Sequence, residues 1–187
     1  MRPSTEQTVE EIFTLLTDSG SEQYFGEQVT KLEHALQCAH HAQAAGADEE
    51  LVLAALLHDI GHLLEDDAAE KHPEVGVINH DSLGGAWLRN RGFSERCAAL
   101  VENHVNAKRY LTATNPQYFS RLSPASVETL EHQGGPMRPE EVEAFARSPY
   151  LKDFLRLRSW DEMAKDPHWQ GPGIESFRPL LEKHLTR

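Results

Sequence analysis

The chain has 187 residues, 39% hydrophobic and 26% charged, the size and balance of one globular domain that can bury its own core. Thirty acidic against eighteen basic residues leave a formal charge of −12. That excludes a general attraction to nucleic acid or to an anionic membrane, so any anion must be met at a local basic pocket. No apolar run approaches the roughly 20 residues of a bilayer span, and residues 1–6 turn acidic at once, unlike a signal peptide. Cys38 and Cys97 fit no CxxC pattern, which predicts free thiols and a cytoplasmic location.

Helical periodicity dominates. Val9, Ile12, Phe13 and Leu16 recur at helical spacing, and a second periodic stretch, about residues 28–45, carries Val29, Leu32, Leu36 and Ala39 and stops at Gly46. Asp48 can cap a third helix with Glu49 and Glu50 in its first turn. That helix is apolar on more than one face and runs into His58-Asp59-Ile60-Gly61-His62, so it is expected at the centre of the core. Residues 65–75 are acidic and interrupted by Pro73, which reads as a surface loop. Helices are expected at residues 80–90, ending at Gly92, and from a Ser94 cap through to residue 110, with a break at Asn115-Pro116. Ser123-Pro124 starts another, which Gly134-Gly135-Pro136 ends. Pro139 opens residues 140–147, Ser148-Pro149 opens the helix of Arg158 and Asp161, and residues 174–185 form a terminal helix. No hairpin signal or repeat is present.

Eleven histidines carry the functional argument. A single His-Asp pair is usually a core histidine beside a capping aspartate. Here His58-Asp59 is joined by His34 on the preceding helix, by His80 and His104 on later ones, and by Asp161. Imidazole and carboxylate are the ligands of first-row metals, and helical bundles build metal sites from inward residues on several helices. Four histidines and two carboxylates suit two ions, with Asp59 placed to bridge them. His104 and Lys108 are i, i+4, as are His58 and His62, so each pair is expected on one helix face. Ser126, Thr129 and Gln133 form one polar face, and Arg158 precedes Asp161 by three residues. These donors, with Lys108, suit a phosphoryl anion. His40 and His41 read as surface, and His72, His132, His168 and His184 have no matching partners. Asp66-Asp67 and Glu49-Glu50 read as solvated charge.

The order His34…His58-Asp59…His80…His104…Asp161 resembles the HD-domain superfamily over residues 28–165. A finer likeness lies in Tyr24-Phe25-Gly26-Glu27, Leu32-Glu33-His34-Ala35-Leu36, Ala54-Ala55-Leu56-Leu57-His58-Asp59-Ile60-Gly61-His62, His104-Val105-Asn106-Ala107-Lys108-Arg109, Gln133-Gly134-Gly135-Pro136-Met137 and Trp160-Asp161-Glu162-Met163-Ala164-Lys165. These stretches resemble the HD-domain mixed-valence diiron oxygenases that cleave carbon–phosphorus bonds, with myo-inositol oxygenase a more distant relative.

The resemblance implies an all-α HD-domain bundle: a single domain over residues 1–187, a gate segment at about 20–28 and a C-terminal helix at about 174–185. It implies two iron ions in the Fe(II)/Fe(III) state, with O2 as co-substrate. One iron would take His34, His58 and Asp161, the other His80 and His104, and Asp59 would bridge. Tyr24 would be a gate that leaves an iron when substrate enters, Glu27 and His62 would meet the substrate amine, and Lys108, Ser126, Thr129, Gln133 and Arg158 would hold the phosphonate.

The implied substrate is a small 1-hydroxy-2-aminoalkylphosphonate, oxidised to glycine and phosphate, with the N-trimethyl analogue, yielding glycine betaine, as the alternative. A trimethylammonium group would want an aromatic face, which Tyr24, Phe25 or Trp160 would have to supply. A dinuclear phosphohydrolase and a catalytically inactive HD regulatory module are the remaining alternatives. No nucleic-acid or membrane partner is expected, and the sequence carries no signal of oligomeric state.

Overall fold

The computed structural model describes residues 2–24, 26–65, 67–73 and 76–187. Helix α1 (Thr5–Asp18) starts at Ser4 in a reciprocal cap with Gln7 and buries Val9, Ile12, Phe13 and Leu16. Helix α2 (Lys31–Ala44) begins later than periodicity alone suggests, because Thr30 and Glu33 form a second reciprocal cap. The residues before it fold back instead. Tyr24 donates its N–H to the Val29 carbonyl (2.8 Å), Lys31 donates to Glu22 (3.0 Å), and Gln23 bridges Thr30. The loop carrying Tyr24 and Glu27 is thus tied at its base to the start of α2. Phe25 lies outside the described residues.

Helix α3 (Glu49–Leu57) is capped by Asp48 and buried on all sides from Leu51 to Leu57. It packs among α2, α5 (Glu95–Glu102), α10 (Leu151–Met163) and α11 (Arg178–Leu185), as the all-round apolar pattern requires. Helix α4 (His80–Arg91) ends at Gly92 in the left-handed conformation and lies against α5, with Gly85 so close that a Cβ there would meet Glu102 Cβ at 2.8 Å. Helices α6 (His104–Thr114), α7 (Pro116–Phe119), α8 (Pro124–His132) and α9 (Pro139–Ala146) complete the described helices, with α6 contacting α7, α9 and α10.

Five expectations are corrected. The helix expected from Ser94 to residue 110 is two helices, broken at Asn103 (φ −110°, ψ 7°), and the bend starts α6 at His104 with its ring turned inward. His58 and His62 do not share a helix face: α3 stops at Leu57, Asp59 takes a bridge-region turn (φ −99°, ψ 9°), and residues Ile60–Leu63 form a 3-10 turn. The segment read as a surface loop contains a minimal antiparallel pair, β1 (Lys71–His72) with β2 (Gly76–Val77), too short for any period-2 signal. Finally, α10 starts at Leu151, and the last expected helix is a 3-10 turn (Ile174–Phe177) followed by α11.

Candidate dinuclear metal centre

His34 comes from the first turn of α2, His58 and Asp59 from the turn that ends α3, His80 and His104 from the first residues of α4 and α6, and Asp161 from α10. All six are buried. Asp59 stands between two groups. Its Oδ2 faces His58 Nε2 (3.3 Å) and His34 Nε2 (3.6 Å), and Asp161 Oδ1 lies 3.1 Å from His34 Nε2. Its Oδ1 faces His80 Nε2 (3.3 Å) and His104 Nε2 (3.4 Å). One carboxylate thus addresses two histidine pairs with different oxygens, the arrangement of a bridging ligand.

The imidazoles are set in one tautomer. Nδ1 of His34 bonds the Ala164 carbonyl (2.8 Å), and those of His58, His80 and His104 bond the carbonyls of Ala55 (2.8 Å), Val77 (2.9 Å) and Val101 (2.7 Å). A carbonyl only accepts, so each Nδ1 carries the proton and each Nε2 presents a lone pair. These lone pairs converge, 3.1 Å apart between His34 and His58 and 3.0 Å apart between His80 and His104. Two nitrogens each roughly 2.1 Å from one ion and at right angles would be about 3.0 Å apart. Asp59 Oδ2 is buried without a hydrogen-bond partner. Nitrogen lone pairs and an orphaned carboxylate oxygen aimed at one another fit metal cations, and the N/O donor set suits iron, manganese or zinc. Asp59, His62 and His80 also gather their ligand atoms within 4.8 Å, so His62 stands beside the second group; its ring stacks on His80 at 3.8 Å.

Gly61 holds this geometry together. A Cβ there would sit 1.9 Å from the His80 carbonyl oxygen, so only glycine lets the turn after Asp59 approach the start of α4 this closely.

Burial opposes ionisation of both aspartates but is outweighed. For Asp59 the opposing charge is His58 in its protonated, metal-free form, and for Asp161 it is the Arg158 guanidinium; each carboxyl is held well below the usual carboxylate range. The Tyr24 hydroxyl is pushed well above its usual range by burial and by the fields of Asp59 and Asp161. Its ring stacks on His34 at 4.1 Å, so Tyr24 lies against the first histidine pair.

Tyr24, Glu27, His62, Lys108, Ser126, Thr129, Gln133 and Arg158, scattered over 135 positions of sequence, all line one cavity, whose floor is Asp59, His80, His104 and Asp161. His34 and His58 lie behind, fully buried. Lys108 donates to Thr129 Oγ1 (2.8 Å) and points at the Ser126 carbonyl (3.4 Å). Burial first, then the neighbouring Arg158, pushes its ammonium down to about 7. A bound dianion would reverse that shift. Arg158 donates from Nε to Glu162 (2.8 Å) and Tyr118 (3.0 Å) and from Nη1 to Asp161.

Sequence reasoning missed several residues. His132 and Lys165 line the cavity, and Tyr118 and Glu162 orient Arg158. Only Lys165 and Glu162 carried any signal, as neighbours of Asp161 in the quoted motif. His184, set aside as unpartnered, is buried and accepts the Ser94 N–H at the start of α5 (3.1 Å). Trp160, a candidate aromatic face for a cationic substrate, packs in the hydrophobic core and does not line the cavity.

A family model described as "HD domain" matches residues 32–145. Over 96% of this chain and 91% of its own length, the [1-hydroxy-2-(trimethylamino)ethyl]phosphonate dioxygenase (glycine-betaine-forming) of Leisingera caerulea is 39% identical. The hydroxymethylphosphonate dioxygenase of Gimesia maris is 37% identical over 96% of this chain and 89% of its own. An uncharacterized protein of Acanthamoeba polyphaga mimivirus is 35% identical over 96% and 83%.

Proposed function

We infer the function from one premise: the chain belongs to the HD-domain family. Within it, the protein is an oxygenase of phosphonate catabolism, and we propose that it cleaves the C–P bond of a small 1-hydroxyalkylphosphonate with O2. The observation that carries this reading is the junction of two features in one cavity: a bridging-type cluster of metal ligands on its floor and an anion clamp of Lys108, Arg158, Ser126, Thr129 and Gln133 in its wall. The relatives named as dioxygenases of hydroxyalkylphosphonates support it.

Two irons are the proposed metals. One would be held by His34, His58 and Asp161 and the other by His80 and His104, with Asp59 between them. When bound they supply oxidation by O2, which suits a C–P bond because carbon is a poor leaving group for hydrolysis. The chain's own residues do the rest. Lys108 and Arg158 neutralise the phosphonate, and the hydroxyls of Ser126 and Thr129 and the amide of Gln133 direct its oxygens. With the phosphonate fixed there, its hydroxyl-bearing carbon faces Asp59, His80 and His104. Tyr24, stacked on His34, closes the approach to the first pair and is the proposed gate. Glu27 is a carboxylate within reach of a cationic substituent, and His62, stacked on His80, lines the same cavity.

For the substituent we favour the trimethylammonium, giving glycine betaine and phosphate. The relative named for that substrate supports it, as do the methyl-bearing walls of Val77, Ile78, Val105 and Ala125. The primary amine, giving glycine, remains the second reading because Glu27 already accepts a primary ammonium, that of Lys165 (2.7 Å). The test is phosphate release from both phosphonates under oxygen and under nitrogen, with iron or zinc supplied. Release should need iron and oxygen. Equal release under nitrogen with zinc alone would make the protein a phosphohydrolase, and stoichiometric absence of metal would make it a regulatory module.

A further inference from the structure

Among the described residues lining the cavity, Glu27 is the one acid outside the metal-ligand cluster. By chemistry it is where a cationic end of a ligand would settle. In the structure that place is taken. Lys165, just beyond the end of α10, donates to Glu27 Oε1 at 2.7 Å, and both side chains are largely enclosed (18% and 14% exposed). Ser123 Oγ donates to the same oxygen at 2.8 Å, and Lys165 Nζ also lies 3.1 Å from Ser123 Oγ and 3.4 Å from Ser126 Oγ.

We propose that Lys165 is a specificity-determining residue, an internal cation that occupies the Glu27 subsite and that a cationic substrate must displace. The inference rests on the phosphonate-oxygenase reading and goes on to say what sets its substrate preference. A cation arriving at Glu27 either shares the carboxylate with Lys165 at like-charge distance or expels it, and each course costs free energy. A phosphonate with no cationic group meets a carboxylate already neutralised, and so is spared the repulsion between Glu27 and its own negative charge. Lys165 therefore lowers discrimination in favour of cationic substrates. Expelled from Glu27, its ammonium has the Ser126 hydroxyl beside it, on the wall that holds the phosphonate.

Removing the cation reverses both effects. In Lys165→Met the exposed charge of Glu27 attracts a cationic substituent and repels a bare phosphonate. The ratio of kcat/KM for [1-hydroxy-2-(trimethylamino)ethyl]phosphonate over hydroxymethylphosphonate should rise roughly tenfold or more. Lys165→Arg keeps the charge and should leave that ratio within about twofold of the parent, which separates charge from packing. The same order should appear in the dissociation constants of the two phosphonates measured by calorimetry on the iron-loaded protein under nitrogen, where no turnover occurs. Melting curves of both variants check that they fold. If the parent protein releases no phosphate from any of these compounds, the oxygenase reading fails. If the parent turns them over and binds them but Lys165→Met leaves the ratio unchanged or lowers it, Lys165 does not occupy a substrate subsite and the inference falls.

Discussion

Arg158 and Asp161 lie one helical turn apart on α10, and the guanidinium donates from Nη1 to Asp161 Oδ2 while the other carboxylate oxygen, Oδ1, faces His34 Nε2 at 3.1 Å. The proposed anion clamp and the candidate metal cluster therefore meet in one ion pair. Both groups are nearly fully buried, so the pair is held without the screening that weakens exposed ion pairs.

That sharing separates two variants that sequence alone would treat alike. Lys108→Met removes a charge that contacts Thr129 and no metal-ligand side chain; KM for the phosphonate should rise roughly ten- to hundredfold, the worth of a charge-assisted hydrogen bond, with metal content unchanged. Arg158→Met should raise KM similarly and also lower metal retention on dialysis, because Asp161 loses the donor that orients it. Metal analysis beside steady-state kinetics checks both. Equal metal content in the two variants would show that Arg158 acts on substrate alone.

Asp59 addresses both histidine pairs, one with each oxygen. Asp59→Ala should therefore empty both positions together, from about two metals per chain to fewer than one, with loss of all turnover. Retention of one full equivalent would mean that the two sites are independent.

Gly61→Ala tests the approach of the turn to α4. The added methyl meets a backbone carbonyl, which cannot rotate away as a flexible side chain can, and the expected cost is about 1–3 kcal/mol of stability. The displaced atom belongs to His80, so metal affinity should fall as well. Chemical denaturation of the parent and variant gives the first quantity, and a competing chelator gives the second.

His184 links α11 to the start of α5 by accepting the Ser94 N–H, which only neutral imidazole can do. Burial first, opposed by Glu50 and aided by Arg187, lowers its proton affinity. Below the ordinary imidazole value of about 6.5 the unfolded chain takes up a proton that the folded chain resists, so this contribution is present above that pH and fades as pH falls. His184→Gln should be less stable than the parent at pH 8, with the gap narrowing towards pH 5. Because ligand protonation affects both proteins alike, the difference between their urea midpoints is the quantity to follow. A gap constant with pH would remove His184 from the account.

Local chemistry was legible in the sequence. Capping residues Asp48, Ser94 and Ser123 satisfy N–H groups a few positions away, and three of the four ligand imidazoles are oriented by the carbonyl three residues earlier, at Ala55, Val77 and Val101. The all-round apolar run of Leu51 to Leu57 likewise sufficed to place α3 at the centre. The ligand types, their order and the Ser126, Thr129, Gln133 face follow from such short-range patterns, whereas Lys108 reaches Thr129 only through the fold. What the tertiary structure alone decided depends on residues far apart in the chain. The fourth imidazole, His34, is fixed by Ala164, 130 residues on, and Glu27 meets Lys165 across 138. The breaks at Leu57 and Asn103 also belong here. A continuous helix satisfies local propensity, but it cannot aim His58, Asp59 and His104 at one point, and the packing of α3, α4 and α10 around that point outweighs the few backbone hydrogen bonds lost at each bend.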